Sequence, residues 1–209
     1  PVVSIGNTAT VNVPTGTPGT YIYTLVSVID ANNCSQNITG QSVTITIYDN
    51  PTVTVISPTI CASASSATIT ASPSPAGTYN YVWTVPGGAT DPGNVASFTA
   101  TVAGTYTVVV TDVNTCTATA SGTLTINANP VATATIISSI SCYGGNATVN
   151  ISANGGTPPY SGTGNYSVPA GTYTYSVSDF NGCTATVSIS ITEPDQLALA
   201  LTQIGATCF

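Results

Sequence analysis

Apolar and polar residues alternate along most of this chain with a period of two. Val43-Thr44-Ile45-Thr46-Ile47 sets three apolar side chains on one face and two threonines on the other, and Val187-Ser188-Ile189-Ser190-Ile191 repeats the arrangement. Tyr106, Val108 and Val110 share a face, as do Tyr173, Tyr175 and Val177, and Ala147-Thr148-Val149-Asn150-Ile151 is another such run. This pattern predicts half-buried β-strands, and helical spacing is almost absent. The stretch from Leu197 to Leu201 alternates with alanine and is predicted as a strand too. Short strands broken by Gly, Pro and Asn turns every ten residues or so predict an all-β chain built of sandwiches.

One segment recurs three times: Gly-Thr-Tyr, an alternating run, then Asp, Asn and Cys. The copies run from Gly19-Thr20-Tyr21 to Asp30-Ala31-Asn32-Asn33-Cys34, from Gly104-Thr105-Tyr106 to Asp112-Val113-Asn114-Thr115-Cys116, and from Gly171-Thr172-Tyr173 to Asp179-Phe180-Asn181-Gly182-Cys183. Their cysteines lie 82 and 67 residues apart, and a second set, Cys61, Cys142 and Cys208, lies 81 and 66 apart. Self-similarity on this scale marks a linear array of like domains. Asn50-Pro51, Asn129-Pro130 and Glu193-Pro194 each follow an alternating strand that the proline stops. The expected division is a C-terminal part of a sandwich at 1–50, whole sandwiches at 51–129 and 130–194, and the start of another repeat at 195–209.

Composition narrows the function. There is no Lys, Arg or His among 209 residues, and seven acids give a net charge of -7. Nothing is present to neutralise phosphates, so nucleic acid is not a partner. An anionic membrane surface is disfavoured for the same reason, and no stretch has the roughly 20 apolar residues of a membrane helix. Solubility falls to Thr, Ser, Asn and Gln on outer faces, where opposed threonines stabilise neighbouring strands. No signal peptide is evident, and Pro1 opens directly into domain-like sequence, which reads as a mature or excised segment.

Sandwiches of about 65–80 residues bury little of their surface and need supplementary stabilisation. Cysteine is the candidate. In a seven-strand sandwich the first and last strands run the same way, so the turn before the last strand shares an end with the start of the first. On that argument Cys61 pairs with Cys116 and Cys142 with Cys183, each bond contributing roughly 4 kcal/mol in the chain-entropy model. Cys34 and Cys208 are then left with partners outside the sequence, or as free or intermolecular cysteines. Disulfides imply an oxidising, extracellular setting.

The stretch from Cys142 to Pro194 reads C-Y-G-G-N-A-T-V, G-G-T-P-P-Y, A-G-T-Y, D-F-N-G-C-T-A-T-V and I-T-E-P. It resembles the SprB-type repeat of very large cell-surface proteins of Bacteroidetes. Residues 79–112, with Tyr81-Val82-Trp83-Thr84-Val85-Pro86, look like the PKD-like, immunoglobulin-like domains that accompany those repeats, and Gly19 to Pro51 resembles a further module. The resemblance implies tandem immunoglobulin-like sandwiches in secreted adhesins or filaments. It supplies no ligand and no catalytic residue. One departure is local: after Tyr160, Ser161-Gly162-Thr163-Gly164-Asn165 stands where a Trp-containing strand is usual, so a shortened middle strand is expected.

Catalysis finds no support, because serines and threonines lack an activating His or Lys and the acids are scattered. Calcium is the one cofactor the Asp-x-Asn hairpins suggest, since oxygen ligands suit it. The plainer reading is that Asp and Asn form Asx-turns there. Trp83 is expected in a core, and Tyr160 over a sandwich end. Asn33, Asn37, Asn146, Asn150 and Asn165 begin formal glycosylation sequons. The expected function is a structural or adhesive segment of an extracellular repeat fibre on a bacterial surface. Its expected partners are neighbouring repeats and, through edges unguarded by Lys, other copies in lateral filaments. The alternative is a module binding carbohydrate or protein through loops 86–94 and 157–165.

Overall fold

The structure, a computed structural model, describes residues 10–14, 16–201 and 205, and its sixteen strands confirm an all-β chain. Near the N-terminus, β1 (Gly19–Thr24) pairs antiparallel with β4 (Ser42–Ile47), and β2 (Ser27–Ile29) with β3 (Ser35–Asn37). Together they form one long two-stranded ribbon, continued between the pairs by the Leu25 amide on Gln41 O and the Ile38 amide on Val26 O. None of its described side chains is buried.

Residues 51–129 hold seven strands: β5 (Thr52–Val55), β6 (Thr59–Cys61), β7 (Ala67–Ser74), β8 (Asn80–Thr84), β9 (Ser97–Ala100), β10 (Gly104–Thr111) and β11 (Thr117–Asn127). They form two sheets, in the orders β5-β7-β9 and β6-β11-β10-β8. The inward residues Ile69, Ala71, Trp83, Ala100, Tyr106, Val108, Val110 and Leu124 make one buried cluster. Seven short strands in two facing sheets, with a buried Trp on a strand beside the penultimate one, define an immunoglobulin-like sandwich. Trp83 fulfils its core expectation: its ring nitrogen donates to Val95 O at 2.9 Å, and Phe98 meets it edge-on at 5.0 Å.

The opening strand changes sheets. After pairing antiparallel with β7 as β5, the chain crosses at Ile56-Ser57-Pro58 and runs parallel to β11 as β6. The crossing passes directly over Gly122, where a Cβ would collide with Ile56 O and lie 2.6 Å from a Val55 methyl. Only glycine admits so close an approach of backbone.

Residues 130–194 repeat the plan with fewer strands: β12 (Pro130–Ser138), β13 (Ala147–Gly155), β14 (Gly164–Val168), β15 (Gly171–Ser178) and β16 (Thr184–Ile191). One sheet is β12-β13-β14, and β15 and β16 form the facing hairpin. Ile140, Ala147, Val149, Ile151, Val177 and Ile191 form a second buried cluster. Where the first sandwich has β8, the second has a single bridge between Ser161 and Ser178. That is the shortened middle strand expected after Tyr160.

Gly-Thr-Tyr has the same role in all three copies. The hydroxyls of Tyr21, Tyr106 and Tyr173 donate to the carbonyl four residues upstream, on Thr17, Val102 and Pro169. This is the tyrosine corner of immunoglobulin-like domains. Register repeats as well: Gly19, Tyr21 and Tyr23 face Ile47, Ile45 and Val43, just as Gly171, Tyr173 and Tyr175 face Ile191, Ile189 and Val187. The outer faces carry hydroxyl ladders. Thr107 meets Ser121 at 2.8 Å, Thr172 meets Ser190 at 3.0 Å, and Thr174 meets Ser188 at 2.8 Å.

Candidate functional site

Cys61 ends β6 level with Asn127, the last residue of β11. The Ala62 amide donates to Asn127 O at 2.8 Å, fixing the strand end. After a two-residue connection, β12 begins the second sandwich at Pro130. Cys183 stands at the turn between β15 and β16, at the end of the second sandwich that meets this junction. There Gly156 lies so close to Pro130 that a Cβ would come within 3.0 Å of the Pro130 nitrogen. Cys61 and Cys183 form a disulfide, with Cα atoms 5.5 Å apart and a sequence separation of 122.

The bond therefore joins consecutive sandwiches and closes neither. This corrects the expected pairs Cys61–Cys116 and Cys142–Cys183, because Cys116 and Cys142 are both free thiols. The strand directions behind that expectation hold, but the position of the leading cysteine does not. Cys61 comes after the opening strand has crossed sheets and run its length, so it lies at the far end of the sandwich. Cys116 precedes the eleven-residue β11 and Cys61 is level with its last residue, which separates them by about 35 Å at strand rise. Likewise Cys142 lies beside the chain's exit, where Gly144 donates to the Glu193 carboxylate at 2.7 Å, while Cys183 opens β16 at the other end. Cys34 is free and exposed, and Cys208 lies outside the described residues.

The turn that presents each hairpin cysteine is built by its aspartate. Oδ1 of Asp30, Asp112 and Asp179 accepts the amide of Cys34, Cys116 and Cys183, in each case at 2.8 Å. Asp30 and Asp112 also take the amides of Asn32 and Asn114. The residue before each cysteine, Asn33, Thr115 or Gly182, has a left-handed backbone with φ between 64° and 77°. These are Asx-type turns. Asp179 is buried and spends its second oxygen on the Thr157 amide at 2.9 Å. Among the described residues no three His, Cys, Asp or Glu side chains converge as a metal site would require.

The proposed ligand loops are largely occupied internally. Thr157 also accepts the Asn181 amide on its hydroxyl and the Phe180 amide on its carbonyl, and Tyr160 donates to Gly155 O. In loop 86–94, Asp91 caps the Gly93 amide, and Asn94 accepts from the Tyr81 amide and donates to Asn80. A small depression between Gly88-Ala89-Thr90 and β9 is lined by two aromatics, the buried Tyr106 and the half-buried Phe98, and Phe98 is packed against the core cluster. Sequence reasoning missed the tyrosine corners, although the threefold Gly-Thr-Tyr was their signal.

The chain is thus a tandem array of immunoglobulin-like sandwiches with a covalent joint. No family model and no curated protein matches it. Solved structures with a similar course include the N-terminal eight immunoglobulin domains of the Down syndrome cell adhesion molecule, at 12% identity and TM-score 0.49 over 84% of this chain. This chain spans only 37% of that one. An I-band fragment of titin is similar at 16% identity and TM-score 0.40, over 70% of this chain and 66% of that one. Extracellular domains 3–5 of Drosophila OTK are similar at 13% identity and TM-score 0.44, over 77% of this chain and 69% of that one.

Proposed function

We propose that this chain is a load-bearing segment of a long extracellular repeat fibre on a bacterial surface, of the SprB-type and PKD-like kind. Its modules are 51–129 and 130–194, with 1–50 closing one module and 195–209 opening another. The observation that carries this reading is the Cys61–Cys183 bond beside a two-residue connection. A module that only presented a binding loop gains nothing from a bond to its neighbour. A strut under tension gains a great deal. Force applied to the two ends passes from residue 61 to residue 183 through the cystine, so the chain between them, a sequence separation of 122, is shielded from it. Oxidising surroundings keep such a bond closed. Lateral association, through sheet edges that have no Lys to guard them, accounts for assembly into filaments.

Single-molecule pulling of the whole chain from its ends tests this. The oxidised protein should release none of the bridged length. After reduction a gain of about 400 Å of contour should appear, from 122 residues at their extended reach. Release of that length before reduction would overturn the load-bearing role.

A further inference from the structure

Cys142 holds in the second sandwich the place that Cys61 holds in the first. Each lies at the end where the chain leaves, the one beside Asn127 and Pro130, the other beside Glu193 and Pro194. Cys34 and Cys116 hold the place of Cys183, each with its amide on an aspartate Oδ1 at 2.8 Å. One device is thus present once closed and three times open. The open end at Cys142 has the form of a joint. A shallow depression there runs between Ser141-Cys142-Tyr143 and Pro194-Asp195-Gln196-Leu197. Beyond it Leu197, Leu199 and Leu201 are 99%, 88% and 90% exposed, and the strand expected from their alternation is not formed, since no neighbouring strand is there to pair with it.

We infer that the cystines form a staggered ladder, in which the leading cysteine of each module bonds the final-hairpin cysteine of the next. Cys142 takes the Asp-x-x-x-Cys hairpin of a module following residue 194. Cys116 takes the leading cysteine of the module that residues 1–50 close. The Cys61–Cys183 spacing of 122 residues, stepped forward from Cys142 or back from Cys116, falls outside residues 1–209. The chemistry is oxidation of two thiols to one disulfide. Two electrons and two protons pass to a disulfide oxidant, which leaves as two thiols. This deepens the fibre reading and rests on its tandem array, making every joint double: one peptide link and one cystine.

The test is the full chain with residues 130–193 duplicated in tandem, the second copy marked by Ser139→Thr beside Cys142 and Thr186→Ser beside Cys183 so that both of its cysteine peptides differ in mass. The protein is oxidised with glutathione disulfide, digested without reduction and mapped by mass spectrometry. The expected map joins Cys61 to Cys183 of the first copy and Cys142 of the first copy to Cys183 of the second. Cys142 of the first copy found free, or Cys183 of the second copy bonded to its own module's Cys142, while Cys61 is correctly paired, would overturn the ladder. Formation of the Cys61 bond reports that the array has folded. The ladder is thereby judged separately from the fibre role, which the pulling experiment decides.

Discussion

The amide of Cys183 is held by Asp179, whose Oδ1 accepts it at 2.8 Å while its other oxygen accepts Thr157 at 2.9 Å. One buried carboxylate therefore fixes both the cysteine that crosses the joint and the loop packed beside it. Asp179→Ala should cost about 2–3 kcal/mol in the second sandwich, because the buried Cys183 amide and the part-buried Thr157 amide lose a charged acceptor. Urea denaturation followed by tyrosine signals checks this, and Asp112→Ala, at a less buried turn, should cost less.

The joint should be separable from the sandwiches. Neither buried apolar cluster includes the cystine. A Cys61→Ser/Cys183→Ser variant should keep both folds, with Trp83 fluorescence and its urea midpoint little changed. Small-angle scattering should instead show a broader spread of end-to-end distances. Unfolding of residues 51–129 in this variant would show that the bond stabilises a module after all.

Two tyrosines should make the protein sensitive to alkali. Burial pushes the Tyr106 phenol above its ordinary value, and burial together with Tyr173 and Tyr166 does the same for Tyr175. The unfolded chain then ionises first, near pH 10. Stability is complete below that value and is lost as pH rises through the higher folded pKa. The urea midpoint should fall accordingly. The buried Tyr175 hydroxyl has no hydrogen-bond partner. Tyr175→Phe should therefore be neutral or stabilising by up to about 1 kcal/mol at pH 7, and should flatten the alkaline decline. Tyr173→Phe, which forfeits the bond to Pro169, should cost about 1 kcal/mol.

Gly122 should tolerate no side chain. Gly122→Ala forces the Ile56 crossing away from β11 and should destabilise the first sandwich by about 1–3 kcal/mol, read by Trp83 fluorescence in urea. Gly87→Ala, with open space at its Cβ position, is the control.

Much of the fold was legible because strand periodicity and turn chemistry are local. The alternation at 43–47 and 187–191 falls within β4 and β16, and each Gly-Thr-Tyr opens a strand of a hairpin. The disulfide was not legible, because it depends on which sheet the opening strand joins after residue 55. Nothing in Ile56-Ser57-Pro58 announces that crossing. Its counterpart, the missing side chain at Gly122, lies 64 residues further along the sequence from Pro58. Cysteine spacing alone fits closed modules and staggered ones equally well. The ribbon at 19–47 shows the same limit from the other side. Its alternation is strong, yet Val43 is 56% exposed because no sheet covers that face within the described residues.

The paired hydroxyls along β10–β11 and β15–β16 give the outer faces their cohesion without ions. Neither partner in such a contact carries a net charge, so dissolved salt screens it little. Brine and dilute freshwater should therefore leave these surfaces almost equally firm.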